Sequence, residues 1–528
     1  MPGAGVHLNA LDPFAFLERS AAVFREKIAV IDGDRTFTYP ELLERVERLA
    51  AALQALGMQP GDRVAVLSPN ARMPLEATLA IPRGGGIVCA LNTRLAAEEI
   101  AYILAHCGAS ILLYDHELDA LVEPLENPTV RVRFGGAAAA AHDYETLLAD
   151  ADRAALRPNA PAEDDTIAIN YTSGTTGRPK GVMYTFRGAY LNALAEGVHA
   201  ALRTESVYLW TLPMFHCNGW CFPWAVTAAG ATHVCLRKVD AAGINHGVHV
   251  EGVTHFCAAP TVLIGLVNHP ETVPFPHRVV VTTAGAPPAP ATIAQIEALG
   301  AELHHVYGLT EVYGPITECS WHSPQWDGFP AAERARLRSR QGVPMVTLGP
   351  RDVRVVDANL EDVPWDGATQ GEIVMRGNNV MKGYYADPAA TAKAFEGGWF
   401  HSGDIAVRHA DGYIEIVDRA KDVIISGGEN ISTQQVEKVL LEHDAVLECA
   451  VVAVPDEKWG EVAKAFVTLK PGRTLGSDEL RAFARERIAA FKVPKTIEFS
   501  ELPKTSTGKI QKYVLREREW KGRDKRVN

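Results

Sequence analysis

The stretch YTSGTTGRPKGV, residues 171–182, gathers the residue types that hold polyphosphates. Glycines such as Gly174 and Gly177 let backbone N–H groups approach an anion closely. The hydroxyls of Thr172, Ser173, Thr175 and Thr176 add donors, and Lys180 adds a positive charge. The stretch follows the apolar TIAIN, which predicts a strand running into a phosphate-cradling loop. It is not a Walker A loop, because Pro179 stands where that pattern requires its second glycine. A flexible surface loop would share this composition, so the stretch alone does not decide the chemistry.

Five further segments carry candidate chemistry. They are AGAPPAP (284–290), VYGLTE (306–311), GWFHSGD (398–404), DRAKDVIISGGENIS (418–432) and PKTSTGKIQK (503–512). In this order, and together with the first loop, they resemble the signature motifs of the acyl-adenylate-forming (AMP-binding) superfamily. That superfamily includes acyl-CoA synthetases, adenylation domains of peptide synthetases and beetle luciferases. The resemblance implies two half-reactions: a carboxylate attacks the α-phosphate of ATP to give acyl-AMP and pyrophosphate, then coenzyme A takes the acyl group and AMP leaves.

Residue by residue, the resemblance implies Glu311 as a Mg²⁺ ligand with the Thr172 hydroxyl as a second, since hard oxygen donors suit Mg²⁺. It implies an adenine site at Gly285, Ala286, Pro287, Tyr307, Gly308 and Thr310, with the Tyr307 ring stacked on the base or packed in the core. Asp404 would accept from the ribose hydroxyls, and Arg419 would contact the ribose from the hinge side. Lys509 would neutralise charge on the carboxylate and α-phosphate. Asp418 would be the hinge about which a small mobile domain turns, bringing loop 426–431 into the site. Gly427 and Gly428 would line a narrow pantetheine tunnel there, where side chains would obstruct. Lys504 and Lys512 read as solvated lysines.

The segment WTLPMFHCNGWCFPW (210–224) places His216 at the position that gates the acyl pocket in the family. Its form is similar to that of short- and medium-chain acyl-CoA synthetases such as methylthiopropionate-CoA ligases and plant acyl-activating enzymes. Trp220 is expected against substrate or nucleotide, with core packing as the alternative. The activity expected is therefore an ATP-dependent carboxylic acid–CoA ligase for short or medium-chain or similar small acids. An aromatic-acid ligase of the coumarate, ferulate or benzoate type and a free-standing adenylation enzyme for a carrier protein stay open. A luciferase-like oxygenase has no specific support, and retention of Lys180, Glu311, Asp404, Arg419 and Lys509 argues against a pseudoenzyme.

These residues need a scaffold. Short β-branched runs alternate with helical patterns, as in RVAVLS (63–68), then NARMPLEATLAIPRGG, then GIVCALN (86–92). HFCAAP (255–260) followed by TVLIGLVNH repeats the pattern. The expected class is α/β, with a large N-terminal domain of α/β subdomains and parallel-type sheets, residues 1–418. GYIEIV (412–417) reads as a strand broken at Asp418-Arg419. Beyond it, a small mobile α+β domain, 419–528, holds strands at 446–454 and 463–470 and an amphipathic helix at 478–491.

Composition bounds the rest. The 528 residues are 47% hydrophobic with a net charge of −12, which argues against a general nucleic-acid binder. Ser206 to Leu236 lacks Asp, Glu, Lys and Arg, but Pro213, His216, Asn218, Gly219 and Pro223 interrupt it, so a buried strand-and-loop region is expected instead of membrane insertion. No signal peptide and no peroxisomal SKL-type ending is seen, which points to the cytoplasm. The eight cysteines read as reduced and buried. Cys217, Cys221, Cys235 and Cys257 lie near His216, His233 and His255, but their spacing fits no standard zinc pattern. The partners implied are a small carboxylic acid, ATP and coenzyme A, with a homodimer left open.

Overall fold

The computed structural model describes residues 9–128, 130–136, 142–172, 178–285, 290–419, 421–426, 429–456, 458–505 and 509–521. Among them two large sheets form the N-terminal part. One has nine strands; its centre, from Ile28–Asp32 through Thr232–Cys235, Val207–Trp210, His255–Ala258 and Val279–Thr283 to Ala301–Leu309, is parallel. The other has seven strands, parallel through Arg63–Leu67, Ile87–Ala90, Ala109–Asp115 and Thr166–Thr172, with an antiparallel edge. Central strands of this kind are apolar on both faces: VVVTT at Val279–Thr283 is buried throughout.

The covering helices follow from pattern and caps. Helix Tyr39–Ala55 starts at a capping box in which Thr38 and Glu41 satisfy each other's backbone N–H groups. Its buried stripe, Leu42, Val46, Leu49, Ala50 and Leu53, repeats at three and four residues. Losing the Thr38 cap would cost about 1 kcal/mol. The expected strands at 63–68, 86–92 and 255–260 and the helices after the first and third are all present. The charge-free stretch folds as strand Val207–Trp210, a turn, helix Phe222–Ala229 and strand Thr232–Cys235, with Trp210, Phe222 and Trp224 in the core.

A four-stranded antiparallel sheet, Val353–Val356, Gly371–Met375, Phe400–Arg408 and Ile414–Arg419, follows. The last strand does not break at Asp418-Arg419. Ile405 faces Asp418 and Asp404 faces Arg419 across the ladder, because the Arg419–Asp404 ion pair prolongs the pairing. Past it, a small C-terminal domain has its own core of Ile424, Ile431, Val436, Leu440, Val451, Ala465, Val467 and Leu480. Its long hairpin, Val446–Asp456 and Gly460–Leu469, is joined in parallel by Thr496–Phe499. The expected helix at 478–491 is shorter, Ser477–Arg485, and gives way to a single tighter turn at Ala490–Lys492.

Candidate active site

Thr172, Gly285 and Tyr307 lie at or just after the carboxyl ends of parallel strands, and His216 lies six residues after Trp210. In open α/β sheets this is the end at which ligands bind. The phosphate-loop stretch is a hairpin. Thr172 and Lys180 face each other in antiparallel register, and Lys180–Thr185 runs back along Thr166–Thr172. Ser173, Gly174, Thr175, Thr176 and Gly177 lie between these ends, outside the described residues. The Lys180 ammonium lies 4.8 Å from the centroid of the Tyr384 ring. Two residues before Thr172, the Asn170 amide donates to the Phe215 carbonyl at 2.7 Å, tying the hairpin to the segment that precedes His216.

Glu311 sits in the tight turn between Ala301–Leu309 and Gly314–Glu318. The turn depends on Gly308: a Cβ there would lie 1.7 Å from the Gly314 carbonyl oxygen, so no other residue fits without moving backbone. Burial raises the Glu311 carboxyl, which accepts from the Tyr384 hydroxyl at 3.0 Å. Thr310 is held at both ends. Its carbonyl accepts from the Tyr184 hydroxyl at 2.7 Å, and its Oγ1 accepts weakly from the Cys217 thiol at 3.6 Å. Gly285, two residues past strand Val279–Thr283, has φ +94°, while Ala286 and Pro287 lie outside the described residues.

A second corner is built across two sheets. The Tyr307 hydroxyl donates to Asp404 Oδ2 at 2.7 Å, and Arg419 Nε lies 3.2 Å from Asp404 Oδ1. Each carboxylate oxygen keeps a further lone pair for a hydroxyl donor. Burial first, and then the Asp404 charge, pushes the Tyr307 hydroxyl well above its usual range, so it stays a donor. The Tyr307 ring is buried, as its core-packing reading expects.

His216 opens a turn with unusual backbone. Cys217, Asn218, Gly219, Trp220 and Cys221 all have φ between +44° and +62°. Left-handed conformation costs roughly 1–2 kcal/mol for each residue other than glycine, so surrounding structure must impose it. Asn192 supplies part of that hold, its amide donating to Cys221 Sγ at 3.5 Å and to the Tyr313 carbonyl at 3.1 Å. Trp220 is 8% exposed and lies on Gly314, where a Cβ would come within 2.9 Å of its ring. Burial, and then the charge of Lys509, pushes the His216 imidazole down to about 4, so it is neutral at neutral pH.

Lys509 reaches this site from the other end of the chain. Its loop is pinned by the Lys509 N–H to Thr505 Oγ1 at 3.1 Å and by the Thr505 N–H to the Lys509 carbonyl at 2.7 Å. The Arg419 guanidinium above all pulls the Lys509 ammonium below its ordinary value, and Asp404 opposes it. The side chain is itself exposed. Glu311, Asp404, Arg419, His216 and Lys509 thus converge from five separate stretches of sequence.

Asp418, the expected hinge, is buried. Its carboxylate accepts from the Thr433 N–H at 2.5 Å, the Thr433 hydroxyl at 3.0 Å and the Arg419 N–H at 2.8 Å. Strands Ile424–Ser426 and Glu429–Ile431 pair in antiparallel register, and Gly427 and Gly428, between them in sequence, lie outside the described residues. The solvated reading of Lys512 is corrected. Its side chain is only 18% exposed, donates to Thr433 Oγ1 at 2.7 Å and pairs with Glu437 at 2.7 Å, because it opens helix Lys512–Trp520 on the inner side. Lys504 is more open and pairs with Glu448 at 2.7 Å.

Seven cysteines are buried, Cys235 is half-buried, and all eight are free. Among the described residues, no metal-sized cluster includes Cys217, Cys221, Cys235 or Cys257. His233 is a satisfied core residue between Trp210 Nε1 at 3.1 Å and Thr227 Oγ1 at 3.2 Å. Sequence reasoning missed Tyr184, Tyr384 and Asn192, whose local contexts carry no signal beyond ordinary strand, loop and helix residues.

Residues 17–385 match the model of the AMP-binding enzyme family, and residues 435–509 match that of the AMP-binding enzyme C-terminal domain. The chain belongs to the AMP-binding enzymes. It is 44% identical to the acetate–CoA ligase CCL3 of Humulus lupulus, over 98% of this chain and 96% of that protein. It is 45% identical to 4-hydroxybutyrate–CoA ligase 2 of Metallosphaera sedula, over 97% and 95%. Among solved structures, ATP-bound MatB from Rhodopseudomonas palustris superposes with a TM-score of 0.86 at 27% identity, covering 97% of this chain and 99% of that one. A benzoate CoA ligase from Burkholderia xenovorans LB400 superposes at 0.85 with 25% identity, covering 96% and 100%. This AMP-binding enzyme is accordingly an acid–thiol ligase.

Proposed function

We propose that the enzyme converts a short or medium-chain carboxylic acid into its coenzyme A thioester, with acyl-AMP as intermediate. In the first step a carboxylate oxygen attacks the α-phosphorus of ATP and pyrophosphate leaves. In the second the coenzyme A sulfur attacks the acyl carbonyl and AMP leaves. The observation that supports this most is the convergence of Lys509 with Asp404, Arg419 and His216. Two anions must meet in the first step, and a lysine already set among cations offers its charge to them.

Thr172, Lys180 and the loop between them would hold the phosphates, and Gly285, Ala286, Pro287, Tyr307, Gly308 and Thr310 would hold the adenine. Asp404 and Arg419 would hold the ribose. The donor set of Glu311 and the Thr172 hydroxyl fits Mg²⁺, since both offer hard oxygens and one Glu311 oxygen is already oriented by Tyr384. Bound there, Mg²⁺ would neutralise phosphate charge. We place the boundary between the large and small domains at 418/419, supported by the separate core that begins at Ile424. Gly427 and Gly428 would serve the coenzyme A step after the small domain turns about Asp418.

For the substrate, relatives at 43–45% identity are named for acetate, acetate and butyrate, and 4-hydroxybutyrate. The solved structures named for aromatic-acid ligases resemble the chain at 25–28%. Trp220, closed against Gly314, also favours a short pocket. A cytoplasmic location and a homodimer remain part of the proposal. No described helix is long and apolar enough to cross a membrane, and some relatives carry "peroxisomal" in their names. The test is coenzyme A-dependent AMP release with straight-chain acids from acetate to palmitate, alongside benzoate and coumarate. A maximum among the short or medium acids is expected; a preference for palmitate or benzoate would overturn the substrate reading.

A further inference from the structure

Five residues, Met381 to Tyr385, bind together the two elements that carry Lys180 and Glu311. The Met381 N–H donates to the Glu311 carbonyl at 2.8 Å. The Lys382 N–H donates to the Met183 carbonyl at 2.9 Å and the Tyr385 N–H to the Gly181 carbonyl at 2.7 Å, so the segment runs antiparallel to the strand that begins at Lys180. Tyr384 then touches both charged groups. Its hydroxyl donates to Glu311 Oε1 at 3.0 Å, and the Lys180 ammonium lies 4.8 Å from its ring centroid.

Opposite charges at one partly dehydrated site attract strongly and would close into an ion pair. Among the described residues, Lys180 and Glu311 make none; Lys180 lies over the Tyr384 ring and Glu311 accepts from the Tyr384 hydroxyl. The ring of Tyr384 gives the ammonium an alternative resting place on its electron-rich face. Its hydroxyl gives one carboxylate oxygen a partner and leaves the other open.

We propose that Tyr384 is a positioning residue that holds Lys180 and Glu311 apart, keeping the ammonium free for phosphate and the carboxylate free for a divalent cation. This rests on the reading of Lys180 as phosphate-facing and Glu311 as metal-facing. Each half of the side chain has a separable task. The hydroxyl orients Glu311; the ring keeps Lys180 from it.

The test is equilibrium binding of ATP to the full chain by calorimetry, without acid, in excess chelator and again at saturating Mg²⁺. Tyr384→Phe removes only the hydroxyl. It is expected to bind metal-free ATP as the wild type does, while the tightening produced by Mg²⁺ falls about tenfold, the usual scale of one hydrogen bond to a charged group. Tyr384→Leu removes the ring as well and is expected to weaken metal-free ATP about fivefold, as Lys180 turns to Glu311. In turnover, KM for MgATP should rise more than kcat falls in both. Full Mg²⁺ tightening in Tyr384→Phe would overturn the proposal, as would equal weakening with and without metal, which is what a merely structural role gives. Tyr384→Phe decides alone where Tyr384→Leu does not fold. Glu311→Gln separates the two levels: loss of Mg²⁺ tightening there but not in Tyr384→Phe sinks the spacer and leaves the metal reading standing, while full tightening in Glu311→Gln sinks both.

Discussion

Lys509 and Lys512 are three residues apart and live in opposite surroundings. Around Lys512, burial works against the charge, but Glu437, Asp418 and Asp422 outweigh it and hold the ammonium above its ordinary value. Around Lys509 the largest influence is another cation, Arg419, and the ammonium is held below its ordinary value. The same contrast separates two histidines. Burial opposes the charge on His304 too, yet Glu302 and Glu318 lift it to about 9, whereas lost hydration and then the charge of Lys509 lower the half-buried His216 to about 4. The difference teaches how to tell a structural charge from a working one. Lys512 and His304 have their counter-charges inside the protein. Lys509 is under-compensated, a state that the anionic substrate of the proposed reaction would relieve.

The largest effect is expected from removing the under-compensated charge. Lys509→Ala should lower acyl-AMP formation, read as pyrophosphate exchange, by roughly 10²–10³-fold. Thioester formation from pre-made acyl-AMP should be largely spared. Equal loss of both half-reactions would erase the distinction between the two lysines, since it would make Lys509 structural as well.

Lys512→Met should act on stability. It strands Glu437 beside Asp418, and breaking such a pair costs about 3–5 kcal/mol when fully buried; with 18% of the lysine side chain exposed, about 2 kcal/mol is expected. Lys512→Arg should restore most of it. Thermal unfolding of the three proteins reads this. A Lys512→Met variant as stable as the wild type would return Lys512 to the class of solvated lysines.

That lysine also marks where the sequence stops being informative. The grouping of Glu311, Asp404, Arg419 and Lys509 was legible because each sits in a segment that resembles a signature motif of the AMP-binding superfamily. The strands of the parallel sheets were legible as β-branched runs. Lys512 was not, because its partner Glu437 lies 75 residues earlier and no local pattern announces a long-range pair. Tyr384 was hidden for the same reason. The left-handed turn at 217–221 was hidden because three of its five residues, Cys217, Trp220 and Cys221, are types that avoid that backbone when left to themselves. The extension of the last strand through Arg419 was misjudged because charged residues normally end a run, and here the ion pair to Asp404 continues it.

A smaller effect should appear in the pH dependence of stability. His304 titrates higher in the folded protein, about 9, than its ordinary 6.5. Its contribution is therefore complete below about pH 6.5 and is lost as pH rises through 9. It should amount to about 1–2 kcal/mol, because the partner Glu302 is 38% exposed and solvent screens the pair. His304→Gln should be less stable than the wild type at pH 6 and converge with it by pH 9.5, in denaturant titrations at both values. A gap that stays constant across that range would show that His304 contributes by packing and not by charge.

The central claim is that the site joins a carboxylate to the α-phosphate of ATP, and the spent nucleotide reports it most directly. Chromatography of a reaction holding enzyme, ATP, Mg²⁺, coenzyme A and a short-chain acid should show AMP and pyrophosphate rising together with the thioester. ADP and inorganic phosphate as the main products would contradict the account, because they require attack at the γ-phosphate, away from the charges that Lys509, Arg419 and Asp404 bring together.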